Sequence, residues 1–270
     1  MGILDFLFRR PRSAVIQPSA ATQPAASVAP DRHLARRERR ELEWRRVLQS
    51  IEYPFEIVPG AQAEAAFEAA RTLGQQQNFS PLILQPGFDG PVRSHPTNLP
   101  DSEVGSADEY FARRARELAE ETEDLALFDH VNEAEPQAAQ GLSMIDLLSE
   151  TRPFSVYSEV AILRLPCVET WKIPLFVPVG GPSDQLDRDE GEEIGIQKLW
   201  HDRFGAELCC VGERSWQFRV ALPPRSHDEA VKLLRQHYLY GWMWDSYQEE
   251  VIRNGAAGLM VDTHWQFFWL

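Results

Sequence analysis

Few residues in this chain have both the type and the spacing for chemistry. His201 and Asp202 adjoin in "KLWHDRFGAEL", and a histidine beside an acid can shuttle protons. Both fall on a predicted helix, where successive positions do not face each other, so the two are not expected to pair through space. The segment reads as an exposed helix face that includes His201. Glu207 and Arg219 lie on the two arms of a predicted hairpin. An odd-length turn would set them opposite each other as a cross-strand ion pair. An even turn headed by Gly212 would send them to opposite sides, and the sequence favours the even turn. If they do pair, a structural bridge is the simpler role. "DQLDRDEGEE" holds six acids in ten residues, but their spacing fails the pattern of a calcium loop. It reads as a solvated loop. Gly180 and Gly181 form a glycine pair too short to define a phosphate cradle, and are kept as candidate ligand contacts.

The remaining chemical groups have simpler readings. Cys167, Cys209 and Cys210 are odd in number and lack C-x-x-C spacing, so neither a disulfide framework nor a zinc site is expected. They read as buried strand thiols. His237 sits on an apolar helical stripe and His264 in a terminal strand, both more consistent with core positions than with ligands. The sequence contains no G-x-S-x-G, no H-E-x-x-H and no phosphate loop. No catalytic residue, cofactor or metal is therefore expected. Aromatic density is the signal left. Trp242, Trp244 and Tyr247, with Trp265, Phe267 and Trp269, could line a pocket or an interface, where such residues concentrate binding energy. Packing in the core is the default for them.

These residues need elements to position them. "PFEIV" and "PLILQPG" read as strands on either side of a helix, "PGAQAEAAFEAARTLG", with Ala66, Ala69, Ala70 and Leu73 inward and Gly74 as its stop. Strand, helix and strand with short connections suggest a βαβ-like unit. Residues 86–105 are a Pro/Gly-rich loop. "SADEYFARRARELAEETEDL" opens with a Ser106–Glu109 capping box and reads as a helix. Residues 129–141 read as a polar loop and "SMIDLLSE" as one or two helical turns. "EVAILRLP" and "KIPLFVPVG" read as strands, and "EEIGIQKLWHDRFG" as a helix stopped by Gly205. Its inward residues are Ile196, Leu199, Trp200 and Phe204. "AELCCVG" and "SWQFRVAL" form the hairpin, the second arm alternating Trp216, Phe218, Val220 and Leu222 with polar or small residues. "PPRSHDEAVKLLRQHYLYG" is a helix with a Ser226–Glu229 capping box and an inner stripe of Ala230, Leu233, Leu234, His237 and Tyr238. The stretch from "WMWDSY" onward is poorly determined. "DTHWQFFWL" closes the chain with Trp265, Phe267 and Trp269 on one face and Phe268 and Leu270 on the other. Two apolar faces mark a strand covered on both sides, hence one inside a sheet.

Charge separates the chain in two. Residues 1–50 carry ten Arg against five acids, whereas residues 51–270 carry 17 basic and 36 acidic residues. The acidic part should repel nucleic acid and attract basic partners. Ile3, Leu4, Phe6, Leu7 and Phe8 precede Arg9, Arg10 and Arg12 in a short amphipathic segment at residues 1–12. It has three readings: a membrane-surface contact, a groove-docking peptide, or a start that packs on its own domain. The apolar run is too short for a signal peptide and Phe6 breaks the myristoylation pattern. Residues 13–30 are an uncharged Ala/Pro/Ser/Gln tract that reads as a disordered linker. Residues 31–52 read as a basic, solvated helix. Cysteine usage and the lack of a membrane-spanning run point to the cytoplasm, with peripheral membrane contact as the variant.

Several of these residues resemble a known pattern. Trp200, the run Phe204–Leu208 ("FGAEL"), the strand ending at Pro223 and Pro224, Glu229 and Ala230, Tyr238 and Tyr240, and the closing "WQFFW" occur in an order and spacing similar to the bacterial family known as domain of unknown function 4253. The likeness covers roughly residues 155–270. A weaker likeness in "IVPGAQAEAAFEAARTLG" and "SPLILQPG" extends it to about residue 53. Where the family pattern has a polar "GGxN-x-C-P" type loop, this chain has "GGPSDQL", so a ligand contact carried there would be altered. The family has no assigned chemistry, so the resemblance implies a fold and no reaction. The fold expected is α+β (mixed α/β), a central β-sheet with flanking helices and the C-terminal strand buried in the sheet. An N-terminal α/β part at 53–152 precedes a C-terminal α+β domain at 153–270. The function expected is a non-catalytic protein-interaction module, in one form an acidic inhibitor or immunity-type partner of a basic protein. Its candidate surface is Gly180, Gly181, Trp200, His201, Glu207, Arg219, Trp242 and Trp244. The alternative is a small-molecule binder or enzyme with a site near Gly180, His201 and Arg219.

Overall fold

The computed structural model describes residues 32–88, 90–96, 98–121, 124–129, 159–177, 188–212, 215–241 and 249–268. Residues 38–270 form one compact unit. Among the described residues one mixed sheet organises that unit, in the order β1-β3-β2-β4-β5-β6. The strands are β1 (Phe55–Pro59), β2 (Ser80–Leu84), β3 (Glu159–Leu165), β4 (Ala206–Val211), β5 (Ser215–Val220) and β6 (His264–Phe268). β3 runs antiparallel to both β1 and β2, so those two run parallel with β3 between them. The expected βαβ unit is therefore present as a split one. The parts expected at 53–152 and 153–270 share this single sheet, because β3 inserts between β1 and β2. A short parallel pairing of β2 with β4 joins the halves, and β4, β5 and β6 continue as an antiparallel meander.

The two sheet faces carry different layers. α2 (Ala63–Gln77) covers one, setting Ala63, Phe67 and Ala70 against Ile83, Val160, Ile162, Cys209 and Cys210. The other face packs against α1 (Arg32–Ser50), α3 (Ala107–Glu121), α4 (Asp124–Leu127), α5 (Glu190–Phe204), α6 (His227–Gly241) and α7 (Glu249–Leu259), in a larger core that includes Trp44, Phe111, Trp200, Leu233, Ile252 and Phe267. β3 and β2 are buried on both faces, which is why their sequences read as continuous apolar runs.

Local chemistry explains the helix ends. Asp189 caps α5 by accepting from the Glu192 N–H at 2.8 Å, while Glu192 accepts from the Asp189 N–H, and Gly205 closes the helix at φ +57°. Ser106 and Ser226 accept from the Glu109 and Glu229 N–H groups as expected. Glu229 reaches back to the Arg225 N–H rather than to that of Ser226. On α1, Trp44 is buried and the ion pairs Arg39–Glu43 and Arg45–Glu41 are solvent-exposed.

Four expectations are corrected. α2 runs through Gly74 and ends at Asn78, which takes the left-handed conformation at φ 59°. Gly74 is needed for room: a Cβ there would stand 2.3 Å from the Phe79 carbonyl oxygen. The inward face of α2 is correspondingly Ala63, Phe67, Ala70 and Gly74, with Ala69 exposed. The described part of "KIPLFVPVG", residues 172–177, is no strand, since Thr170–Leu175 winds into a 3-10 turn with Pro174 inside it, a residue without the N–H a ladder requires. β6 does lie in the sheet but at its edge, with Trp265 and Phe267 buried on one face. α7, from "EEVIRNGAAGL", occupies the stretch left undetermined from "WMWDSY" onward. The segment 1–12, the tract 13–30, most of 129–141, "SMIDLLSE", residues 178–187 with Gly180 and Gly181, residues 242–248 with Trp242 and Trp244, and Trp269 with Leu270 lie outside the described residues.

Candidate functional site

The arrangement of charge on the sheet depends on one extra residue. Gly212 N–H donates to the Ser215 carbonyl at 2.8 Å, and Val211 and Cys210 stand opposite Trp216 and Gln217. The pairing thus leaves two residues between Gly212 and Ser215, the even length favoured from sequence. Between Cys210 and Leu208 the register shifts, so Leu208 faces Phe218 and Glu207 faces Arg219. Cys209 is the bulged residue. Even turn and facing charges coexist because the bulge inverts the alternation, which corrects the expectation that Glu207 and Arg219 point apart. The same bulge brings Cys209 and Cys210 together into the α2-side core, although they are neighbours in the chain.

A polar row results on that side. Arg219 stands between Glu207 on β4 and His264 on β6, and Gln217 stands opposite Gln266 one row along. The Arg219 guanidinium is held by α2 instead of by Glu207. Its Nε lies 2.9 Å from Oε1 of Glu68 on α2, and Glu68 Oε2 also accepts from Arg71 Nε at 2.9 Å. Glu207 is half-buried, and its Oε2 is shielded from solvent without a hydrogen-bond donor. A polar atom in that state costs about 1–3 kcal/mol. The thiols nearby are inert. Burial pushes Cys209 well above its ordinary value, and the Glu207 charge adds to this. Burial likewise raises Cys210, and lifts Cys167 to about 11. All three are protonated at neutral pH and none is a thiolate nucleophile.

The remaining sequence candidates lie on the opposite layer. Trp200 is fully buried at the centre of an aromatic cluster, stacked on Phe267 at 5.6 Å and 11° and edge-on to Tyr240 at 4.9 Å. Its indole N–H donates to Gln236 Oε1 at 3.1 Å. Trp200 is therefore a core residue and presents no surface. Trp265 and Phe267 belong to the same cluster. His201 is half-exposed, and its Nδ1 comes within 3.3 Å of Asp202 Oδ1, so the two do touch despite being adjacent. The side chains bend back outside the helix, where Lys198 also binds Asp202 and lowers its pKa, with His201 contributing. The sheet separates His201, on a helix of one layer, from Arg219, which pairs with α2 on the other. These two cannot share one small site.

A second polar cluster escaped sequence reading. Arg188 Nε meets Glu193 Oε2 at 2.7 Å with both side chains nearly inaccessible, and the guanidinium lies 4.0 Å from the Tyr240 ring centroid. Arg188 also donates to the Tyr240 carbonyl at 2.6 Å. Glu193 Oε1 accepts from the Tyr240 hydroxyl and from Gln197 Nε2, each at 2.8 Å. This clasp ties the start of α5 to the end of α6. Two further bridges, Arg93–Glu190 and Arg113–Glu192, surround the same helix start. The available signal was Glu193 itself, an acid at a helical position otherwise flanked by apolar Ile194 and Ile196. Among the described residues, no group of three His, Cys, Asp or Glu could hold a metal, and no helix is long and apolar enough to cross a membrane.

Comparison with known proteins matches residues 161–269 to the family described as Domain of unknown function (DUF4253). The resemblance carried by Trp200, Tyr240 and "WQFFW" is borne out by this match, which covers the C-terminal part of the chain. β1, α2 and β2 precede the matched range yet complete its sheet. No curated protein and no solved structure matches the chain.

Proposed function

We propose that this chain, whose C-terminal part matches the DUF4253 family, is a non-catalytic protein-interaction module whose acidic folded part engages a basic partner. The observation that carries the reading is Glu207. Its facing arginine, Arg219, is held by Glu68, and Glu207 Oε2 is left shielded without a donor. Glu207 is only half-buried, so the rest of its carboxylate is open to a Lys or Arg side chain of a partner, which would supply the charge that Arg219 does not. The excess of 36 acids over 17 bases across residues 51–270 favours encounter with such a partner. An inhibitor or immunity-type role toward a basic protein is the specific form of this reading. The protonated state of the three buried thiols supports it against nucleophilic catalysis.

The test is affinity capture on the full chain at low and moderate salt, with a Glu207→Gln variant alongside. The expected result is a basic protein retained by the wild type, released by salt, and bound at least about tenfold more weakly by the variant, the effect of losing one buried charged contact. Capture of no protein above background at moderate salt overturns the reading. Equal retention by the variant moves the contact away from Glu207.

A further inference from the structure

The two edges of the sheet are built differently. β1 follows Pro54, carries exposed Glu56 and ends at Pro59, all features that discourage a further strand. β6, "HWQFF", has no proline and no Asp, Glu, Lys or Arg. Its register with β5 is regular over five pairs, without a bulge to turn the edge away. Among the described residues no strand lies beyond it.

The hydrogen-bond phase of this edge follows from its inner side. Val220 N–H donates to the Thr263 carbonyl at 2.7 Å, which makes that pair a narrow one. In an antiparallel ladder narrow pairs alternate, so Trp265 and Phe267 bond inward to Phe218 and Trp216. The N–H and C=O groups of His264, Gln266 and Phe268 consequently face away from β5. That set is symmetric about Gln266, and so is the side-chain pattern, with a buried aromatic on either side of a central glutamine.

We propose that β6 pairs antiparallel with β6 of a second copy of this chain, about a two-fold axis at Gln266, to give one continuous sheet across the dimer. Gln266 and Gln266 of the partner subunit then exchange both backbone hydrogen bonds. Trp265 comes opposite the partner's Phe267, an aromatic cross-strand pair that occurs twice by symmetry. A second copy fits better than a foreign strand because the edge is self-complementary and uncharged.

Sedimentation of the full chain over about 1–100 μM should show a monomer–dimer equilibrium with Kd on the order of micromolar. Gln266→Lys places two like charges across the axis and should weaken dimerisation at least about tenfold while leaving the thermal melt of the monomer unchanged. Gln266→Cys supplies a test that tolerates any loss of stability in the lysine variant. A narrow pair has a Cα separation of about 5.5 Å, within disulfide range, so this variant should cross-link to a covalent dimer on mild oxidation. Thr263→Cys, away from the axis, should not. A chain that stays monomeric throughout, with no cross-link in Gln266→Cys, overturns the proposal. So does a dimer whose affinity is unchanged by Gln266→Lys, since it would use another surface.

Discussion

Replacing His237 with leucine should remove a large part of the protein's sensitivity to acid. His237 lies on α6 among the rings of Trp200, Trp265 and Phe267, at centroid distances of 5.2, 4.7 and 4.9 Å. It is 3% exposed, its Nε2 has no hydrogen-bond partner, and burial alone lowers its pKa to about 3. The unfolded chain titrates this group near 6.5. Because the folded value is the lower one, the unfolded state binds the proton first as pH falls. Stability is complete above pH 6.5 and is lost at about 1.4 kcal/mol per pH unit between 6.5 and 3. At pH 4.5 the loss comes to about 2.7 kcal/mol, a large share of a typical domain's stability. Leucine has no proton to bind and fills a similar volume, so the variant should lie within about 1.5 kcal/mol of wild type at pH 7.5. Other titrating groups, such as Asp262, which burial raises to about 6, are common to both proteins and drop out of the difference. Urea unfolding at pH 7.5 and 4.5 measures it. The variant should gain about 2.7 kcal/mol relative to wild type on going to the lower pH. Parallel pH profiles for the two proteins would refute the account, because they would mean that the folded imidazole accepts a proton with no penalty.

Two other substitutions test the packing around α5. Gly195→Ala would put a Cβ 2.0 Å from the Gly105 carbonyl oxygen, a backbone atom, and should destabilise the fold by about 3 kcal/mol or more in a thermal or denaturant melt. Glu193→Gln would leave the Arg188 guanidinium buried without its counter-charge, at a cost of about 3–5 kcal/mol, whereas the exposed Arg45–Glu41 bridge should cost under about 1 kcal/mol when Glu41 is changed to Gln.

What could be read from the sequence follows the strength of local signals. β3, α5 and the β4–β5 hairpin were legible because a continuous apolar run, a helical stripe closed by Gly205 and the alternation of Trp216, Phe218 and Val220 are each local signals. Thr170–Leu175 was misread because an apolar run with β-branched residues looks like a strand, and the single Pro174 outweighed it. Gly74 was misread as a stop because its need for space, set by Phe79, is a tertiary fact invisible in the helix's own residues. The order of strands was not legible either, since the insertion of β3 between β1 and β2 leaves no mark on any one segment.

The candidate site shows the same limit more sharply. Residue types alone grouped His201 with Arg219 in one alternative site, but sheet parity decides which side chains can meet. With strict alternation and an even turn, Glu207 and Arg219 would point to different layers. One bulged residue at Cys209 puts both on the side of Glu68 and leaves His201 beyond the sheet. The parity of β6 is informative in the same way. Register puts Trp265 and Phe267 on one face and His264 and Gln266 on the other, beside Arg219 and Gln217, and among the described residues β6 is the last strand of the sheet. The outward backbone groups centred on Gln266 have the symmetry that the proposed pairing with the same segment of a second copy uses.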